Sequence, residues 1–116
     1  MKDRSSATLT SIKTNQQIVQ LLKNSKKLNL PYITIWLGKQ NNKHNIDYAL
    51  LVNKNQFKFA VLRNKVKRQL RNILITSDLS GGIRLLLKPN SVWLNKSYLE
   101  VKEGIIKLVK KYQNGK

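Results

Sequence analysis

The chain has 116 residues, which is enough for one small domain with a modest core, and 41% of them are hydrophobic. That hydrophobic fraction excludes a disordered basic tail. Lysine and arginine number 23 against five aspartate and glutamate residues, which gives a formal net charge of +18. This balance predicts a polyanionic partner, bound with an affinity that falls as the salt concentration rises.

A membrane surface is the other common polyanion, and the sequence argues against it. A surface-bound helix needs apolar anchors that face lipid, whereas the apolar stripes of this chain are typical of helices packed on a core. The first six residues lead into no apolar segment, and no run approaches the length of a membrane span. The absence of cysteine excludes a disulfide scaffold and thiolate chemistry. A reducing cytoplasm is compatible with that absence, and we expect a cytoplasmic protein with no membrane contact.

Taken in chain order, the first elements are an arm, a helix and two strands. Residues 1–11 are polar and predict a loose N-terminal arm. Thr14 and Gln17 have the spacing of a capping box, which predicts a helix that ends near Ser25. The β-branched and aromatic run 32–37 predicts a strand, a polar hairpin loop follows over 38–45, and 46–52 predicts the returning strand. Alternation in the first strand puts Tyr32, Thr34 and Trp36 on one face and Ile33, Ile35 and Leu37 on the other.

The second half of the chain predicts a long basic helix, one more strand and a final helix. The basic helix ends near Thr76, the strand covers 83–88, and Asn95 or Ser97 caps the last helix. The resulting order is α-β-β-α-β-α, with no repeat and no linker. It predicts a single α+β domain over residues 1–116.

The basic helix has two faces. Its apolar residues recur at three- and four-residue steps, which predicts a core-facing stripe: Phe59, Leu62, Val66, Leu70 and Ile73. Its cations form an i, i+4 ladder with further polar residues beside it: Arg63, Lys67 and Arg71, with Asn64 and Arg68. Like charges at this spacing cost a few tenths of a kcal/mol per pair, and no carboxylate on the helix offsets that cost. A solvated polar face is the ordinary interpretation of such a run, but in a chain this basic we favour a nucleic-acid-binding face.

The side chains offer little for catalysis. His44 is the sole histidine and has no visible partners, and the five acidic residues are scattered. No nucleotide-binding fingerprint or zinc pattern occurs. The sequence therefore predicts no catalytic residue and no metal held by the protein alone. Trp36 could stack on a base if exposed or belong to the core if buried, and the sequence leaves both alternatives open.

Residues 63–71, Arg-Asn-Lys-Val-Lys-Arg-Gln-Leu-Arg, resemble the signature of the bacterial ribonuclease P protein subunit, Arg-Asn-Arg-x-Lys-Arg-x-x-Arg. The segments Ala60-Val61 and Val52-Asn53-Lys54, the order of elements, the size and the charge are also similar to that family. The chain departs from it at the entry to the basic helix, where Phe57-Lys58-Phe59 replaces a frequent glycine. It departs again at Ile18 and Leu22, which stand where aromatic residues are common.

The resemblance implies a fold and a function. The fold has a rare left-handed β-α-β crossover through the basic helix, as in the second domain of ribosomal protein S5. The implied partners are a catalytic RNA subunit, which performs hydrolysis with Mg²⁺ held through the RNA, and precursor tRNA; no obligate protein partner is implied. The RNA-binding residues implied on the helix are Arg63, Asn64, Lys65, Lys67, Arg68 and Arg71. A cleft implied to hold the single-stranded 5′ leader of precursor tRNA contains Ile18, Leu22, Trp36, Val52 and Lys54. The alternative is a non-enzymatic basic RNA-binding or ribosomal protein.

Overall fold

Five strands, three α-helices and one 3₁₀ helix make up the part of the chain that the computed structural model describes, residues 8–12, 14–77 and 79–114. The strands are β1 (Thr8–Ser11), β2 (Lys26–Leu30), β3 (Ile33–Lys39), β4 (Asn45–Leu50) and β5 (Ile83–Pro89). The α-helices are α1 (Asn15–Asn24), α2 (Ala60–Thr76) and α3 (Tyr98–Asn114), and the 3₁₀ helix is Ser91–Asn95. Thr14 caps α1 by accepting a hydrogen bond from the backbone N–H of Gln17, and Ser97 caps α3 in the same way from Glu100, so both predicted caps are confirmed.

The strands form one mixed sheet in the order β1-β4-β5-β3-β2. β3 runs antiparallel to β2 and β5, while β4 runs parallel to β1 and β5. The α2 helix connects the parallel neighbours β4 and β5, so the predicted α+β class and its β-α-β unit are confirmed. The predicted β3–β4 hairpin is wrong, because β5 lies between those two strands.

Two strands were not predicted from the sequence. Residues 8–11, part of the predicted N-terminal arm, instead form β1, and residues 1–7 of that arm lie outside the described residues. Lys26 and Lys27 open β2, which pairs with β3 along the sheet edge. Both missed strands lie at sheet edges, where exposed polar and lysine side chains replace the apolar alternation that identifies inner strands.

The larger hydrophobic cluster lies between the sheet and the helices α2 and α3. The prediction that Ile33, Ile35 and Leu37 share one face of β3 is confirmed, because all three are fully buried in this cluster. The placement of Tyr32 on the opposite face is wrong: Tyr32 precedes β3 and packs in the same cluster, edge-to-face against Trp93 at 6.0 Å between ring centroids. The α3 helix contributes Val101, Ile105 and Val109.

A smaller cluster lies on the other face of the sheet, beneath α1. Leu21 of α1 packs there with Ala49 and Leu86, and the partly buried Ile18 and Trp36 border it. Near Gly38 the helix comes so close to β3 that a Cβ on that residue would lie 2.7 Å from the Ser25 hydroxyl. The sheet therefore has helices on both faces, with α1 covering part of one face.

Candidate nucleic-acid interface

The basic helix α2 begins one residue later than the apolar pattern predicts. Phe59 stands before it in extended conformation, with φ −98° and ψ 139°, and is 63% exposed. Its predicted place in the core stripe is therefore wrong, since the helical phase starts only at Ala60 and Phe57 fills the core instead. The rest of the stripe follows the prediction, with Val66, Leu70 and Ile73 buried, Leu62 half-buried and Leu74 added.

The polar side of α2 carries the predicted RNA-binding residues in two groups. Four are exposed: Asn64, Lys65, Arg68 and Arg71. Arg63 and Lys67 are half-buried, because at about 100° per residue they lie along the margin of the apolar stripe and not opposite it. None of these cations forms a salt bridge within the described part of the chain, where the ion pairs are Arg84–Asp47 and Lys96–Glu100. The exposed cations of α2 are thus available to phosphates.

Arg63 has a structural task in addition to its charge. Its Nη1 donates hydrogen bonds to the backbone carbonyls of Phe57 at 3.0 Å and Lys58 at 3.1 Å. Those residues lie in the segment that leads into α2. The guanidinium therefore fixes the backbone at the start of the basic helix, through two hydrogen bonds from a single nitrogen.

The predicted cleft residues divide between the two faces of the sheet. Ile18 and Trp36 come together beside the smaller cluster, and Leu22, on the same helix as Ile18, is 40% exposed. Val52 is buried in the larger cluster on the opposite side of the sheet, and Lys54 is exposed in the turn after β4. The structure thus brings three of the five residues to the α1 side of the sheet and places Val52 on the other side, while Lys54 lies in the turn after β4.

Trp36 is neither fully exposed nor fully buried, so it lies between the two alternatives given by the sequence, a stacking residue and a core residue. It is half-buried against the smaller cluster, yet part of the ring stays accessible. The Nζ atom of Lys27 lies 5.7 Å from the centroid of the ring, within the range of a cation–π contact. Lys27 and Trp36 are direct partners in the β2–β3 ladder, so strand register sets this contact.

Lys27 is the residue next to Trp36 that sequence reasoning missed, together with the polar surface beside it. Asn29 and Thr34 form the next pair of the ladder on this face, joined by a 3.1 Å hydrogen bond, and Lys88 stands opposite Thr34 on β5 with an exposed side chain. No local signal in 26–30 predicts these neighbours, because they depend on the pairing of β2 with β3. The surface beyond Trp36 is therefore basic and polar.

The remaining titratable residues form no metal site in the described ranges. His44 is exposed in the loop before β4. Asp47 accepts hydrogen bonds from Gln40 and from Asn45 Nδ2, the second at 2.6 Å, and lies 3.4 Å from Arg84 Nε. Among residues 8–12, 14–77 and 79–114, no three histidine, aspartate or glutamate side chains are placed to hold a metal ion. In the same ranges, no helix is long and apolar enough to cross a membrane.

Known proteins of similar sequence include two ribonuclease P protein components. The ribonuclease P protein component of Ureaplasma parvum serovar 3 is 30% identical over 89 residues, which cover 74% of this chain and 78% of that relative. Its counterpart in Ureaplasma urealyticum serovar 10 is 27% identical over the same length, covering 74% and 75%.

Solved structures show the same fold at lower identity. The ribonuclease P protein of Thermotoga maritima superposes with a TM-score of 0.77 at 20% identity, covering 87% of this chain and 96% of that one. The protein from Staphylococcus aureus gives 0.75 at 17% identity, covering 86% and 92%. The sequence model of the family described as ribonuclease P matches residues 7–113. With nearly its whole length matched, and with the basic helix and sheet arranged as described, the chain belongs to the ribonuclease P protein family.

Proposed function

We propose that this chain is the protein subunit of a ribonucleoprotein endonuclease that matures the 5′ ends of tRNA in the cytoplasm. The observation that carries the proposal is the exposed cationic side of α2, which has no acidic residue on the helix and no salt bridge among the described residues. An external polyanion converts the mutual repulsion of these cations into binding energy. Family membership makes the catalytic RNA subunit the natural partner for this face.

The division of labour follows from what the side chains can do. We assign hydrolysis to the RNA, with Mg²⁺ held through RNA oxygens, where it would activate the attacking water. The described residues do not assemble a metal site of their own. The contribution of the protein is to neutralise phosphates and to orient RNA, through Arg68, Arg71 and Lys65 in particular.

The α1 side of the sheet is the proposed site for the 5′ leader of precursor tRNA. Trp36 offers the accessible part of an indole ring, and Lys27 and Lys88 offer cations on the same face. Single-stranded nucleic acids are held by this combination of aromatic stacking and a basic groove. Ile18 and Leu22 line the helix side with aliphatic surface, so we expect one stacking position in the cleft and not several.

A cleavage assay with a bacterial ribonuclease P RNA tests the function. The full-length protein should increase cleavage of precursor tRNA at low Mg²⁺ concentration. Replacing Arg68 and Arg71 together by alanine should remove most of this stimulation, because each contacts phosphate in the proposal. The matched control replaces Lys107 and Lys111 by alanine, the same loss of charge on an exposed stretch of α3. A protein that binds RNA but gives no stimulation would be a non-enzymatic RNA-binding protein, and the proposal would be wrong.

A further inference from the structure

We propose that Phe59, at the entry to α2, is a stacking site for an unpaired nucleobase of the RNA bound to that helix. The inference rests on the proposed function, because it takes α2 as the RNA-binding face. It deepens that function by adding a base contact to a surface whose other side chains recognise phosphate.

The ring of Phe59 has no structural task that accounts for it. It is 63% exposed and belongs to neither hydrophobic cluster of the described residues. It stands at the N-cap of α2, where its aromatic side chain can accept no hydrogen bond and so does not cap the helix. The core position at this corner is taken by Phe57, which is fully buried.

The backbone that carries the ring is held on both sides. Before it, Arg63 Nη1 binds the carbonyl oxygens of Phe57 and Lys58. After it, the carbonyl of Phe59 accepts the backbone N–H of Arg63 at 3.1 Å, the first turn of the helix. With its backbone held in this way, the ring keeps only its own side-chain rotations, so stacking on a base costs less ordering than it would on a flexible loop. Arg63 is a positioning residue for this ring.

The charge around the ring identifies the occupant. Lys58 beside it is exposed, and the first turns of α2 expose Asn64, Lys65 and Arg68 with no acid on the helix. An apolar protein segment would leave these cations unpaired at its border, whereas RNA supplies phosphates to them and a base to the ring. Aromatic stacking accepts any base, so the site should select unpaired RNA and not a particular sequence.

Two RNAs with equal charge separate stacking from phosphate binding. The full-length protein is titrated with a single strand of about twenty nucleotides and with a blunt duplex of about ten base pairs, which has a matched phosphate number. Phe59→Leu, which keeps an apolar side chain without the ring, should weaken binding of the single strand by about tenfold. Binding of the duplex should stay within about twofold, because its bases are already stacked. Phe59→Trp should bind the single strand at least as tightly as the native protein.

Val61 provides the matched control, since it is 77% exposed on the same turn of the helix and has no ring. Val61→Ala should leave both affinities unchanged. A single strand with abasic positions should bind native protein and Phe59→Leu alike, because the backbone remains and the stacking partner is gone. Equal affinity of native protein and Phe59→Leu for the intact single strand would overturn the inference, as would an equal loss with the duplex.

The same variant shows which RNA supplies the base. A loss with the ribonuclease P RNA alone assigns the base to the RNA subunit, and a loss with precursor tRNA that needs its leader assigns it to the substrate; either result supports the inference. If the native protein stimulates cleavage and Phe59→Leu stimulates and binds equally well, the proposed function stands and this inference fails. If the native protein stimulates no cleavage but the ring still discriminates single strand from duplex, the proposed function fails while the stacking site stands.

Discussion

The hydroxyl of Tyr32 occupies the space that a side chain at Gly104 would need. A Cβ built on Gly104 would overlap with the hydroxyl oxygen and would lie 3.3 Å from the ring carbon that carries it. Gly104 lies inside α3, and the ring of Tyr32 also meets Trp93 edge-to-face, at an interplanar angle of 69°. The glycine is therefore required by the neighbouring side chain and not by the conformation of the helix.

Gly104→Ala should destabilise the protein although alanine is the better helix former. Alanine would gain about 1 kcal/mol of helix propensity, but displacement of the wedged tyrosine costs about 1–3 kcal/mol. We expect the free energy of unfolding to fall, as measured by urea denaturation.

Removal of the hydroxyl should relieve the overlap. In the double variant Tyr32→Phe/Gly104→Ala, most of the lost stability should return, because the remaining ring carbon permits a tight but tolerable contact. A double variant no more stable than Gly104→Ala alone would show that the glycine serves another purpose.

Tyr32 should also make stability depend on pH at the alkaline end. Burial, and then the negative charge of Glu100, raise the pKa of Tyr32 above its usual value of 10.0. A raised pKa means that folding favours the protonated phenol, so this contribution is complete below pH 10.0 and is lost as the pH rises through the folded-state pKa. Tyr32→Phe cannot ionise at this position. The unfolding free energy of the native protein should therefore fall relative to that of the variant as the pH rises above 10.0. A difference that stays constant through this range would contradict the assignment.

The sequence predicted the parts of the fold that repeat a pattern and missed the parts that depend on partners. The stripe Val66, Leu70 and Ile73 could be found because helical spacing and burial agree over several turns. The exposure of Phe59 could not be predicted in this way. Its apolar side chain fits the helical spacing, but the helix begins one residue after it.

The cleft shows the same limit. The position of Lys27 over Trp36 depends on the register of an edge strand that carries no apolar alternation. Val52 matched a family segment, yet the side of the sheet on which it lies is decided by the path of the chain after β4. Contacts set by strand pairing and chain path have no local signal in the sequence.

Arg63→Lys should lower stability while keeping the charge of α2. The lysine side chain is one bond shorter, so its ammonium does not reach the position from which Nη1 donates to the carbonyls of Phe57 and Lys58. Hydrogen bonds from a charged group contribute about 1.5–3 kcal/mol when buried, and since Arg63 is half-exposed we expect a loss of about 1 kcal/mol. Arg71→Lys, at an exposed position on the same helix, should cost less than about 0.5 kcal/mol. Unchanged stability together with weaker RNA binding would mean that the guanidinium of Arg63 contacts RNA directly.

Lys27→Gln tests the polar surface beside Trp36. Its ammonium lies 5.7 Å from the centroid of the Trp36 ring, so it should meet a phosphate of any strand that stacks on this residue. We expect precursor tRNA with a leader to bind more weakly by about 1 kcal/mol, roughly fivefold, and tRNA without a leader to bind equally well. Lys26→Gln is the matched control, because Lys26 is exposed but pairs with Leu37 and so points to the opposite face of the sheet. Equal losses in the two variants would indicate a diffuse effect of charge and no leader site on this face.

Arg68→Ala tests whether α2 carries a phosphate site or only general charge. Arg68 is exposed near the middle of the polar side of the helix. Asn64 and Lys65, four and three residues before it, lie on the same side and are also exposed. Loss of one phosphate contact should lower the slope of log K against log salt by about 0.7–0.9 and weaken RNA binding most at low salt. Lys111→Ala removes the same charge near the end of α3, where the side chain is also exposed, and should change the slope by much less. The measurement is the affinity for ribonuclease P RNA at a series of salt concentrations. Identical slopes for the two variants would show that the basic helix attracts RNA only through the net charge of the protein.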